Sequence, residues 1–278
     1  MKVGRVDATT EQPMSFLHGG EGPAVVFLHG VPGSAHAWDP VVEELDGVHV
    51  IVPDLLGFSA SRDADDLHAE AQARATAHLL DSLEITNAVI VTHDFGGPVA
   101  IRLIEQRPAL VEGLLLSSTN AFGDTPIPFP LSTIFWPVLG RLAAQMIFSP
   151  PSLRLMLHTG TGHPRPRLDP STHIGDSRQA RSIRTIFETS LRHLPELYGP
   201  LTDILAGITV PTEVLWGDRD PFFTVETARR TATAIPGARL TVLRGAGHFL
   251  PAERPAAVVT AIHRLLERSS RGPRTAAP

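Results

Sequence analysis

An α/β architecture, a mostly parallel sheet with helices on both faces, follows from three features of the 278-residue chain. Several short apolar runs are continuous rather than alternating, as in strands buried on both sides. Segments with helical apolar spacing lie between those runs, which is the arrangement of βαβ units. The composition is globular, with 42% hydrophobic and 19% charged residues, so the chain can bury a sizeable core.

Taken in order, the residues through about His18 suit an antiparallel hairpin at one sheet edge. Ala24–Leu28 and Val48–Val52 are the first buried runs, and Asp65–Ser82 has helical spacing. Ala88–Val91 follows, then a helix over Gly97–Gln106, then the run Gly113–Leu116. From Asn120 to Ile208 the rhythm breaks: Pro, Arg, His and aromatic residues crowd in, and only Leu131–Phe148 and Asp176–Leu194 look helical. An insertion of that length between two strands is read as a helical lid over the strand ends. The alternation resumes with Thr212–Trp216, Val225–Ile235, Arg239–Leu243 and Ala256–Glu267. The expected organisation is eight strands, with the lid between strands six and seven. Residues 1–119 and 209–269 form the core, 120–208 the lid, and 270–278 a disordered tail.

Composition excludes several functions. Lys+Arg 24 against Asp+Glu 29 gives a net charge of -5 and no basic footprint, so no nucleic-acid partner is expected. Cys 0 removes disulfides, thiolate catalysis and Cys-held metal. Lys2 is the single lysine, which leaves no Schiff-base chemistry. Met1–Gly20 lacks the apolar core of a signal peptide, and Leu131–Phe148 is broken by Pro137, Gly140 and Arg141, too short to span a bilayer. A cytoplasmic protein acting on a small molecule, with no membrane partner, is expected. Histidines 158, 163, 173 and 193 lack metal-ligand spacing, so neither metal nor cofactor is expected.

Four segments carry candidate chemistry. In Val89-Ile-Val-Thr-His-Asp94-Phe-Gly-Gly-Pro98 a strand runs into a turn bearing Asp94, and two glycines let a helix start tightly behind it. This suits a nucleophile elbow, with Asp where Ser is usual; the alternative is that Asp94 caps the helix. In Val26-Phe-Leu-His29-Gly30-Val31-Pro32 a strand ends at a loop whose amides can face the elbow, which nominates the N–H groups of Val31 and Phe95 for an oxyanion. Val214-Leu-Trp-Gly217-Asp218-Arg219-Asp220 ends a strand in carboxylates, and Leu243-Arg-Gly-Ala-Gly-His248 ends one in a histidine. A nucleophile, an acid and a His in that chain order, each just past a strand, match one arrangement of a catalytic triad.

From about Pro13 to Glu267 the chain resembles the α/β-hydrolase superfamily. The His93-Asp-Phe-Gly-Gly97 elbow and the His29-Gly-Val-Pro32 loop with Trp38 beyond it look like the epoxide hydrolase and haloalkane dehalogenase branch. The resemblance implies an α/β-hydrolase fold, with Asp94 as nucleophile, His248 as base and Asp220, preferred over Asp218, as its orienting acid. It also implies an alkyl-enzyme ester that water, activated by His248, hydrolyses. The branch polarises an epoxide oxygen with lid tyrosines, and Tyr198 is the one tyrosine here; Trp136, Trp38 and Phe249 join it as expected pocket residues. The dehalogenase positions for halide donors hold Phe95 and Val31, which ranks a bulky or aromatic epoxide ahead of a haloalkane or haloacetate. A non-hydrolytic member of the fold (cyclase, cofactor-free oxygenase or ligand receptor) is the remaining alternative.

Overall fold

The computed structural model describes residues 2–6, 14–59, 61, 64, 66–164, 166 and 168–270. Along the chain run β1 (Lys2–Val6), β2 (Met14–Gly19), β3 (Ala24–Leu28), α1 (Asp39–Val42), β4 (His49–Pro53), α2 (Ala69–Ser82), β5 (Ala88–His93), α3 (Gly96–Gln106) and β6 (Val111–Ser117). Between β6 and β7 lie α4 (Gly140–Ile147), α5 (Pro150–Thr159), α6 (Pro170–His173), α7 (Ser177–Arg192) and α8 (Leu194–Ala206). The chain ends with β7 (Thr212–Gly217), α9 (Val225–Ala234), β8 (Arg239–Leu243), α10 (Leu250–Glu253) and α11 (Pro255–Ser269).

The strands form one eight-stranded sheet in the order β1-β2-β4-β3-β5-β6-β7-β8. β1 and β2 form the antiparallel edge hairpin, and every pairing from β4 to β8 is parallel. Strand alternation sorts the side chains into two layers. Val26, Leu28, Ile90, Leu114 and Leu116 face α2, α3 and the insertion, whereas Val25, Phe27, Val89, Val91 and Leu115 face α1 and α11. Each fully buried aliphatic side chain contributes about 1.5–3 kcal/mol. Truncating Leu28 to Ala would cost about 2–5 kcal/mol, because it sits at full burial between two layers.

Two clasps tie the insertion to the core. The Gln179 amide of α7 donates to the Gly33 and His173 carbonyls (3.1 and 3.2 Å) and accepts from the Ser59 amide (3.0 Å), so it bridges the loops after β3 and β4. At the other side, the loop after α5 lies on the loop after β8. The His248 amide donates to the Gly160 carbonyl (2.7 Å) and the His163 amide to the Gly245 carbonyl (2.8 Å). A Cβ at Gly162 would collide with the Gly245 carbonyl oxygen, and one at Gly247 with the Gly160 oxygen.

The structure departs from the sequence reading in four places. α2 begins at Ala69 rather than Asp65. Leu131–Phe148 is split by Pro137 into a 3-10 turn, Leu131–Phe135, and α4. α5 and α8 arise in stretches not read as helical; α8 keeps Pro200 inside it. Of the expected tail, Ser270 closes α11, and 271–278 lie outside the described residues. Among the described residues no helix is long and apolar enough to cross a membrane.

Candidate active site

Asp94 stands at the turn from β5 into α3 with φ +51°, a left-handed conformation that a non-glycine residue adopts at a cost. Its backbone is held in place: the Asp94 amide donates to the Ser117 carbonyl (3.1 Å), and its carbonyl accepts from the Gly97 amide (3.0 Å) and the Thr119 hydroxyl (2.6 Å). Gly96 and Gly97 are required, since a Cβ would strike the Leu28 carbonyl oxygen in one case and the Thr119 hydroxyl in the other. The side chain does not cap α3, which has no side-chain cap. Instead Oδ1 accepts from the Val31 amide (2.7 Å), and the carboxylate also accepts from the Phe95 amide.

His248 comes from the loop after β8. Its Nδ1 donates to Asp220 Oδ2 (3.0 Å), and its Nε2 faces Asp94 Oδ2 at 3.6 Å. Asp220 Oδ1 accepts from the Phe222 and Phe223 amides (2.9 and 3.0 Å), so the carboxylate is fixed within its own turn and its side chain is fully buried. Asp218 instead binds the Gly245 amide (2.7 Å) and buttresses the His248 loop. The structure therefore brings Asp94, His248 and Asp220 together and leaves Asp218 aside.

Electrostatics follow from burial. Desolvation raises the Asp94 carboxyl above the usual carboxylate range, although the His248 charge and the Val31 and Phe95 amides oppose the rise. Burial alone would lower His248, but the charge and hydrogen bond of Asp220, with the charges of Asp94 and Glu253, outweigh it and its pKa is raised. A raised pKa makes His248 a stronger base once deprotonated.

Two residues that sequence reasoning did not place in the site support it. Glu253 Oε2 accepts from the Gly162 and Gly247 amides (2.7 and 2.8 Å), and Oε1 from the Phe249 amide (3.0 Å). One buried carboxylate thus holds both the His248 loop and the insertion loop. The visible signal was an acidic residue five positions after the histidine, just before Pro255. His93 turns away from the elbow, as expected of a strand neighbour, and its Nε2 donates to the His248 carbonyl (2.9 Å). Burial, then the His248 charge, hold His93 well below its ordinary pKa.

Above Asp94 and His248 lies a cavity of about 120 Å³. Core residues Val31, Phe95 and Phe249 and insertion residues Met156, Phe187 and Tyr198 line it. Tyr198 is its phenol donor: desolvation raises the hydroxyl to about 12, against the opposing effect of a Ser190 hydrogen bond, so it stays protonated. Asn120 also borders the cavity, but it is engaged with Phe122 and Thr125. Two expected pocket residues are elsewhere. Trp38 is fully buried in the opposite layer, 5.2 Å from Phe27, because the chain after Pro32 turns under the sheet. Trp136 is 54% exposed and outside the cavity lining, since it follows the 3-10 turn on the outer face.

A model of the alpha/beta hydrolase family matches residues 25–261. An uncharacterized protein of Mycobacterium tuberculosis is 28% identical over 271 residues, covering 91% of this chain and 78% of that protein. A haloalkane dehalogenase from Bradyrhizobium elkani superposes with a TM-score of 0.81 at 20% identity, over 97% of this chain and 99% of that one. An epoxide hydrolase structure superposes with a TM-score of 0.76 at 20% identity, over 96% and 99%. At those identities the two structures speak for the fold alone, and with the family model spanning both core halves the chain belongs to the alpha/beta hydrolase family.

Proposed function

We propose that the protein is a hydrolase that works through a covalent ester on Asp94, and that its substrate is an apolar epoxide. The observation that carries this reading is the division of the Asp94 carboxylate. Oδ1 is committed to the Val31 amide, and the Phe95 amide also donates to the carboxylate, while Oδ2 faces His248. In the first step Oδ2 attacks an epoxide carbon, the ring C–O bond breaks, and the Tyr198 hydroxyl gives its proton to the leaving oxygen. In the second step His248 takes a proton from water, and the hydroxide adds to the ester carbonyl carbon of Asp94. The oxyanion forms at Oδ1, already bonded to the Val31 N–H, with the Phe95 N–H at the same carboxylate. Collapse releases the diol and the Asp94 carboxylate, and the proton freed by hydrolysis restores Tyr198. Net consumption is one water per epoxide.

The cavity suits an apolar substrate of about one ring, and an adjoining cavity of about 450 Å³ that shares Phe95, Ile186 and Tyr198 offers room for a bulkier one. The smaller cavity is on the scale of the ~150 Å³ void that accepts benzene. Of the insertion's large apolar residues, Met156 and Phe187 line it, Phe148 stacks on Phe187 at 5.0 Å, and Phe129 and Phe135 are exposed. The side chains of Val31 and Phe95 cannot donate to a halide, which places epoxides ahead of haloalkanes.

The test is a trap. His248→Gln mixed with styrene oxide is expected to accumulate protein heavier by one substrate, with the adduct on the peptide containing Asp94. Wild type in a single turnover in heavy-oxygen water is expected to carry the label in the Asp94 carboxylate. Label appearing first in the diol would make Asp94 a general base and overturn the covalent mechanism; halide release from a haloalkane without epoxide opening would overturn the substrate class.

A further inference from the structure

The outer face of the insertion carries an apolar surface that folding does not explain. From Phe135 to Leu139, with Pro137 between, five successive residues are exposed, Val138 to 87% and Trp136 to 54%. α4 extends this surface. It turns Gly140 and Ala144 inward, Gly140 so close to the Ile134 carbonyl oxygen that a Cβ would collide, and leaves Leu142 and Met146 outward one turn apart. A run of exposed apolar residues of this length marks an interaction surface in a folded protein.

Charge identifies the partner. Between Asp124 and Asp169 the sequence has no Asp or Glu but four arginines, although the whole chain is net -5. Arg141 and Arg154 are exposed, next in the chain to the exposed Leu142 and Leu155. An apolar face with an exposed Trp, flanked in its own segment by arginines and no carboxylate, complements an anionic lipid leaflet, where acyl chains accept the apolar groups and headgroups pair with arginine. A second copy fits less well, since a symmetric dimer through this face would set Arg141 and Arg154 near their own copies with no carboxylate of the 125–168 segment to pair them. Flanking this face in the chain, exposed Phe129 lies between the cavity-lining residues Pro128 and Leu131, and exposed Leu155 is next to the lining residue Met156.

We propose that the Phe135–Met146 face docks reversibly on an anionic bilayer and draws apolar molecules from it toward the cavity. This revises the expectation of no membrane partner, which rested on the lack of a spanning segment; peripheral docking needs none. Trp136 is a built-in reporter, because Trp38 and Trp216, the other two tryptophans, are fully buried. With full-length protein and no substrate, vesicles of phosphatidylcholine and phosphatidylglycerol at low salt are expected to blue-shift the emission and shield it from acrylamide. Partition into pure phosphatidylcholine is expected to be about tenfold weaker. The double variant Leu142→Ser, Met146→Ser is expected to lose about tenfold in partition while keeping the wild-type circular dichroism. No shift with anionic vesicles, equal partition into both vesicle types, or a dimer in vesicle-free buffer that the same variant dissolves would each overturn the proposal.

Discussion

Tyr198 is the only tyrosine of the chain, and the cavity brings its hydroxyl into the field of Asp94 with Ser190 as its hydrogen-bond partner. On the proposed mechanism, a donor that meets negative charge only as the epoxide opens stabilises the transition state more than the bound substrate. Tyr198→Phe is therefore expected to lower kcat on styrene oxide by about 10²- to 10³-fold while KM moves little. Steady-state kinetics check it; an unchanged kcat would shift the donor role to another cavity group. At this scale Asp94, Asp220 and His248 were legible because each lies just beyond a strand end, and a parallel sheet gathers those ends. Trp38 and Trp136 were not, because neither proximity in sequence nor aromaticity says which side of the sheet a loop residue takes. Trp38 went under it and Trp136 outward.

Elements explain the rest of the site. Strands β3 to β7 were readable to within two residues, since burial on both faces leaves them few polar positions; β8 was readable too, although as the edge strand it is partly exposed along its length. α8 was not readable: Pro195, Gly199 and Pro200 argue against a helix, and packing against α3 decides otherwise. Glu253 was equally hidden, because its partners are amides from two distant loops, Gly162 and Gly247. It holds the His248 loop and does not line the cavity. In Glu253→Gln the side chain keeps its size but one acceptor oxygen becomes a donor facing backbone N–H groups, at a cost of about 1–3 kcal/mol. The expected result is a melting midpoint lower by several degrees and a kcat reduced by about tenfold with KM nearly unchanged. Loss of the Glu253 charge also lowers the His248 pKa, so the acid limb of the kcat profile should move to lower pH. A lowered midpoint with an unmoved acid limb would reduce Glu253 to a structural role.

For the whole molecule, the histidines that surround the site set its tolerance of acid. His29, His93 and His173 are buried, and burial is the largest cause lowering the pKa of each, to about 4 for His29. His29 shows why protonation is resisted. Its Nδ1 donates to the Gly30 carbonyl (2.8 Å) and its Nε2 accepts from the Leu55 amide (3.0 Å), so a second ring proton would face an N–H. The unfolded chain takes up protons near pH 6.5 and the folded chain does not, so below that pH the unfolded state binds more protons and stability falls. The contribution of these groups is complete above about pH 6.5 and is lost as pH falls toward their folded values. His248 has the opposite sign: its raised pKa adds stability below about 6.5 that is lost as pH rises through the folded value. Among these histidines three are lowered and one is raised, so their net contribution to stability should decline from pH 6.5 downward. His29 alone accounts for about 3 kcal/mol by pH 4. His29→Gln offers a donor and an acceptor on a side chain that does not titrate, so its melting midpoint should depend less steeply on pH between 6.5 and 5, by about one proton's worth. Thermal unfolding of both proteins across that range measures the slopes, and parallel slopes would mean that His29 is not a neutral buried group in the folded protein.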